Sequence, residues 1–151
     1  MNWVTRKRIH VNRAATAWLI RRFLDPKADI IFVEPDEVAT VQERGNAIGF
    51  DAPGARYPHE DAQGRCSFEQ LVDEHRPGDF ALQRLALIVH GADFPKDIDI
   101  TPESAGLWAI SQASAMRSRK TMQKSSSVPR SSTTRFSSIC AGGELALHAG
   151  R

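Results

Sequence analysis

Between Ala113 and Ile139 the chain holds nine serines, no acidic residue and no apolar period, so a core must be built from what precedes that tract. The charge divides at the same place. Residues 1–111 carry 13 basic and 17 acidic side chains, whereas residues 112–151 carry 7 and 1. The net charge of +2 over 151 residues describes neither part, and the basic surplus that would suggest a nucleic-acid partner belongs to the tract alone. The reading is one folded domain over residues 1–112 and a low-complexity, disordered basic tail over residues 113–151.

The genetic code offers an origin for the tail. Displacing the reading frame by one base turns serine codons of the TCN type into Phe, Leu, Ile or Val codons and arginine codons of the CGN type into Ala, Ser, Thr or Pro codons. One permitted choice of third bases across Gln112 to Gly143 yields an acidic helix start and an amphipathic, Tyr-rich end. We therefore expect residues 113–151 to be a frameshift product, which leaves the helix that begins near Thr101 without a partner.

Within the body, Trp3-Val4-Thr5 reads as a short strand and Asn12 as the N-cap of a helix from Ala14 to Leu24, stopped by Asp25-Pro26. Ala14, Ala17, Trp18 and Arg21 share helical spacing, with Trp18 expected in the core. Ile30 to Val33 is a strand, Pro35 to Arg44 a second helix closed by Gly45-Asn46, and Asn46 to Phe50 a third strand. Asp51 to Arg65 has two prolines and two glycines and reads as a long loop. Ser67 and Gln70 have capping-box spacing for a helix to His75. Asp79 caps a further helix, in which Phe80, Leu82, Leu85, Leu87, Ile88 and Val89 are mostly buried and Gly91 is the C-cap. Thr101-Pro102-Glu103 opens the last helix, which carries Trp108 into the core. Strands alternate with helices early and helices dominate later. The fold class is α/β or α+β, a small sheet with several packed helices.

No apolar run approaches the ~18 residues of a membrane span, and no leader peptide is readable. The protein is expected in the cytoplasm. Cys66 and Cys140 are too few for a disulfide framework. There is no Gly-rich phosphate loop, no Ser-His-Asp order and no RNA-binding aromatic motif. Oligomeric state is not legible.

Residues 3–112 resemble the C-terminal domain of chromate resistance protein B. The likeness rests on Val11-Asn12-Arg13, on Ala17 to Pro26, on Ala47 to Gly54 with His59, on Arg65-Cys66-Ser67-Phe68, on Arg84 to Asp93 and on Ala105 to Ser111. That family ends in an acidic segment and a helix with Tyr-Asp-Ala-Leu, which the displaced frame supplies. Relatives carry a cysteine where this chain has Thr16, so any role of that cysteine does not transfer. Full-length relatives also have an N-terminal region associated with DNA binding, so nucleic acid is not an expected partner of this module alone. The resemblance implies a role in chromate or oxyanion stress.

Three groups of residues carry the chemistry. Arg13, Arg21 and Arg22, with the free N–H groups at the start of the first helix, would make a site for a small tetrahedral oxyanion. The bland account is that these and Arg6 to Arg8 are solvated or paired with nearby acids. His59 and Cys66 share the long loop, and the dipole of a helix starting at Ser67 would lower the Cys66 thiol pKa. That pair would serve a sensor of oxidation or a thiol-dependent reductase, against the alternative of a packed core cysteine. His90 and Asp93 would line the same pocket as His59, as a base and its orienting acid. A His-x6-Cys spacing without a second pair names no metal centre, and no cofactor is expected. The function expected is oxyanion binding or oxidation sensing in chromate resistance, leaning away from enzymatic turnover. The alternatives are a reductase using Cys66 and a non-catalytic, partner-binding domain of a chromate-responsive regulator.

Overall fold

Parallel pairing of three strands sets the frame. The computed structural model describes residues 1–8, 10–45 and 47–126. Asn46, Cys140 and the tract after Ser126 lie outside these residues, and with them the helix stop and most of the tail read from the sequence. Strands β1 (Asn2–Arg6), β2 (Asp29–Val33) and β3 (Ala47–Gly49) form one sheet in the order β2-β1-β3, with β1 parallel to both neighbours. Parallel neighbours need crossover connections, and helices α1 (Val11–Leu19) and α2 (Val38–Gly45) provide them. Being central and covered on both faces, β1 is buried at Trp3, Val4 and Thr5. Trp3 joins the core made with Leu19, Ile20, Phe50, Phe68 and Leu71. Val4 points the other way, to Val38, Ala47, Ala52 and Ala55.

Helices α3 (Ser67–His75) and α4 (Phe80–Asp93) pack on α1 and on each other, and α5 (Ser104–Ser126) packs on α4. Among the described residues the fold is therefore a small three-strand sheet with five α-helices, in keeping with the expected small sheet and several packed helices. Helix α5 crosses Gln112 without interruption, there being no Gly or Pro between Leu107 and Ser126 to stop its backbone.

Several local expectations change. His10, not Asn12, is the N-cap of α1, and the buried face of that helix is Val11, Asn12, Arg13, Thr16 and Leu19. Trp18 consequently lies outward, 46% exposed. Polar hydrogen bonds explain the rotation: Asn12 Oδ1 accepts from Thr16 Oγ1 at 3.1 Å, Ser67 Oγ at 3.1 Å and the Phe68 N–H at 3.3 Å. Satisfied in this way, a polar stripe can face α3. Beyond Leu19 the helix widens into a π-turn at Ile20–Leu24, in which the Asp25 N–H reaches the Ile20 carbonyl at 2.7 Å. Helix α2 begins at Val38 rather than Pro35, which sits in a preceding turn.

Asp79 caps α4 as expected, accepting the Leu82 N–H at 3.0 Å, but the helix continues through Asp93. Gly91 is thus interior rather than a C-cap. A Cβ there would lie 2.4 Å from Ser104 Oγ, 2.6 Å from Ile100 Cγ2 and 2.8 Å from the Asp97 carbonyl oxygen. Glycine allows α4 to approach the segment that leads into α5. Phe80 and Leu87 face outward on α4, and Trp108 does so on α5, against the expectation of burial, with Ile110 exposed beside it. The reason is shared: among the described residues no element covers those sides of the helix pair.

Candidate functional site

Strand β1 ends at Arg6, and its neighbour β3 ends at Gly49, two residues before Asp51. In a parallel sheet whose chain leaves one strand toward opposite sides, the crevice beyond the carboxyl ends is the usual ligand position. Asp51 has a positive φ of 50°, a conformation in which a carboxylate side chain is tolerated but still strained. It is the hub of a charged cluster. Arg13 Nη2 lies 2.8 Å from Oδ2, Arg6 Nη2 3.6 Å from Oδ1, and Arg6 Nε donates to the Asp51 carbonyl at 2.8 Å. Asn12 Nδ2 donates to Oδ1 at 3.3 Å, and His59 Nδ1 stands 2.8 Å from the same oxygen.

A second buried carboxylate adjoins it. Asp93, at the end of α4, has His10 Nδ1 2.5 Å from Oδ1 and His59 Nδ1 3.4 Å from Oδ2. Both aspartate side chains are nearly closed to solvent, whereas His10 and His59 are 47% and 37% exposed. Buried acids thus form the floor and histidines the rim. Asp51 Oδ2, Asp93 Oδ2 and Arg13 Nε lack a hydrogen bond of good geometry. For Asp51 Oδ2 the 2.8 Å approach of Arg13 is an ion pair by distance without the alignment of a hydrogen bond. The bond to Asp51 holds the His59 pKa above the ordinary histidine value against the opposing effect of burial. Burial lowers the Arg13 pKa, with Asp51 pulling it back.

A third group lies across the ring of Phe94, whose centroid is 5.3 Å from that of His59 and 4.7 Å from that of His90. His90 Nδ1 is 2.6 Å from Glu69 Oε2, and Nε2 is 3.1 Å from Asp97 Oδ2. Glu69 Oε2 also accepts the Cys66 N–H at 2.8 Å, closing a capping box in which Cys66 rather than Ser67 is the N-cap. The Cys66 side chain is fully buried. Burial, assisted by the Glu69 carboxylate, pushes its thiol well above the ordinary cysteine pKa. This is opposite to the expected activation. The helix dipole is outweighed because the thiol faces protein and an acid rather than water.

The residues read from the sequence are therefore divided among different surroundings. His59 and Asp93 do meet, but Phe94 separates His90 from them, and His90 takes its carboxylates from Glu69 and Asp97. Arg13 is buried against Asp51 and is not an open anion clamp. Arg21 and Arg22 lie in the π-turn beside Trp18, exposed and without an ion pair among the described residues. Arg6, set down with Lys7 and Arg8 as a solvated or paired cation, does pair with Asp51, and His10, Asp51, Glu69 and Asp97 were not singled out. Their only signal was position: Arg6 and Asp51 stand at the carboxyl ends of adjacent strands. Among the described residues, two sets of three side chains have metal-ligating atoms within 4.8 Å of one another, Asp51 with His59 and Asp93, and Cys66 with Glu69 and His90.

A groove of about 350 Å³ opens between α1, α4 and α5, lined by His10, Ala14, Trp18, Val89, Leu107 and Ile110 among others. No helix among the described residues is long and apolar enough to cross a membrane.

A family model described as ChrB, C-terminal domain, matches residues 3–130. Protein ChrB of Cupriavidus metallidurans is 40% identical over 96 residues, which cover 60% of this chain and 26% of that relative. The chain thus spans about a quarter of the length of the curated relative it matches. No solved structure matches.

Proposed function

Because this chain belongs to the ChrB C-terminal domain family, we propose that it is a cytoplasmic chromate-resistance module that binds an oxyanion, without turnover, at the rim formed by Arg6, His10 and His59. One observation carries this reading. Both histidines commit Nδ1 to a buried carboxylate and leave Nε2 without a partner among the described residues. Arg6 and Arg13 balance Asp51 and Asp93, so each proton held by a rim histidine adds net positive charge at the surface of the site. The raised pKa of His59 extends the range in which its Nε2–H is a charged donor. A tetrahedral dianion is the ligand that a charged His59 Nε2–H and the Arg6 guanidinium, with His10 beside them on the rim, recognise. The burial of Cys66 supports binding rather than thiol-dependent reduction.

Calorimetric titration with sulfate, whose charge is constant near neutrality, and with chromate tests this reading. Binding is expected to weaken as pH rises through the elevated His59 pKa. His59→Gln or His10→Gln should lose a charge-assisted hydrogen bond of about 1.5–3 kcal/mol, roughly ten- to a hundredfold in affinity. Arg21→Ala with Arg22→Ala should bind as the parent does. Unchanged affinity in both histidine variants, or chromate consumption with a thiol donor that Cys66→Ser abolishes, overturns the proposal.

A further inference from the structure

We infer that Cys66, Glu69 and His90 form a binding site for a borderline divalent metal ion such as zinc, with Asp97 positioning the histidine. This inference does not rest on the oxyanion reading, because it uses different residues on the other side of Phe94. Sγ, a carboxylate oxygen and a ring nitrogen lie within 4.8 Å of one another. Tetrahedral zinc would hold such donors roughly 3.3–3.6 Å apart, given bond lengths of about 2.0–2.3 Å, so only small side-chain rotations are needed. A thiolate, a carboxylate and a neutral imidazole balance a dication, leaving the partly enclosed centre uncharged.

The surroundings are those of a ligand set rather than of a chance cluster. His90 Nε2 is 3.1 Å from Asp97 Oδ2, the carboxylate contact that fixes the tautomer and ring direction of a metal-bound histidine. The capping box turns the Glu69 N–H toward Sγ, where it would stabilise a bound thiolate. Glu69 and His90 are 14% and 12% exposed, which leaves a path for the ion and a fourth ligand position. Among the described residues, no lysine or arginine forms an ion pair with Glu69, His90 or Asp97. The other candidate set differs on that point: Arg13 and Arg6 already face Asp51 and would repel a cation. Binding releases the thiol proton to solvent, and His90 would bind through Nδ1 as the neutral imidazole with its one proton on Nε2, facing Asp97. No electron transfer is involved.

Cobalt(II) titration of the full chain tests the site, since a sulfur ligand gives a near-ultraviolet thiolate-to-cobalt charge-transfer band. One equivalent is expected to produce the band and zinc to displace it. Cys66→Ser should abolish the band, and His90→Gln should weaken binding roughly tenfold or more while keeping the thiol. Cys140→Ser and His59→Gln should retain both band and affinity. The absence of a thiolate band, its survival in Cys66→Ser, or its loss in Cys140→Ser overturns the inference. If Cys66→Ser fails to fold, His90→Gln decides: unchanged cobalt affinity in a folded variant overturns the site.

Discussion

Arg13 Nη2 and Asp51 Oδ2 lie 2.8 Å apart, with side chains 4% and 1% exposed, so an ion pair crosses from the first turn of α1 to the end of β3 inside the protein. The energetic consequence is asymmetric. Removing one member strands the other in a place water does not reach, whereas removing both leaves only a packing problem.

Asp51→Asn is accordingly expected to lower unfolding free energy by about 3–5 kcal/mol, read by urea denaturation, because the Arg13 charge is then uncompensated. Adding Arg13→Met should recover part of that loss. A single Asp51→Asn change within about 0.5 kcal/mol of the parent would show that the pair is not coupled to folding.

His59 makes stability depend on pH. Its folded pKa is raised, chiefly by the bond to Asp51, so the folded state holds the proton more tightly than the unfolded chain, whose value is about 6.5. The contribution is fully present below that value and is lost as pH rises through the folded pKa. Denaturation from about pH 5 to 9 should show the stability gap between parent and His59→Gln shrinking as pH rises; a gap that widens contradicts the arrangement.

Two glycines should respond in opposite directions to the same change. Gly91→Ala forces a methyl group against Ser104, Ile100 and the Asp97 carbonyl and is expected to cost about 1–3 kcal/mol. Gly106→Ala, in α5 with open space around it, should stabilise by about 0.5–1 kcal/mol. Thermal or chemical denaturation of the two variants checks both signs.

Cys66 should be nearly inert in the native state. Iodoacetamide labelling located by peptide mapping is expected to be far slower than for a model thiol at neutral pH and to accelerate with denaturant. Labelling faster than the model thiol would mean that the thiol is neither closed off nor raised in pKa.

The groove beside Trp18 and Ile110 is open apolar surface, and such surface promotes self-association. The full chain is expected to bind a hydrophobic dye and to scatter light at high concentration. Ile110→Lys should reduce both effects with stability changed by less than about 0.5 kcal/mol. A displaced reading frame after Gln112 is our proposal for the Ser/Arg tract, and the coding DNA from the codon of Ile110 to that of Leu145 tests it.

Local chemistry in the sequence determined the elements. Short strand-forming runs marked β1 and β2, the Asp25-Pro26 dipeptide marked the end of the first helix, and Asp79 announced α4 by its capping chemistry. The loop from Asp51 to Arg65 was legible for the same reason, since Pro and Gly restrict or free the backbone at the residue itself. Tertiary structure alone decided which face of α1 is buried, because Asn12 and Thr16 become acceptable inside only when Ser67 and the Phe68 N–H arrive to satisfy them. It also decided that His59 meets Asp51 and Asp93 while His90 meets Glu69 and Asp97. Spacing along the chain carries no information about such pairs. They exist because the order β2-β1-β3 brings the ends of β1 and β3 side by side and packs α3 and α4 across them, so each charge takes the partner that topology delivers.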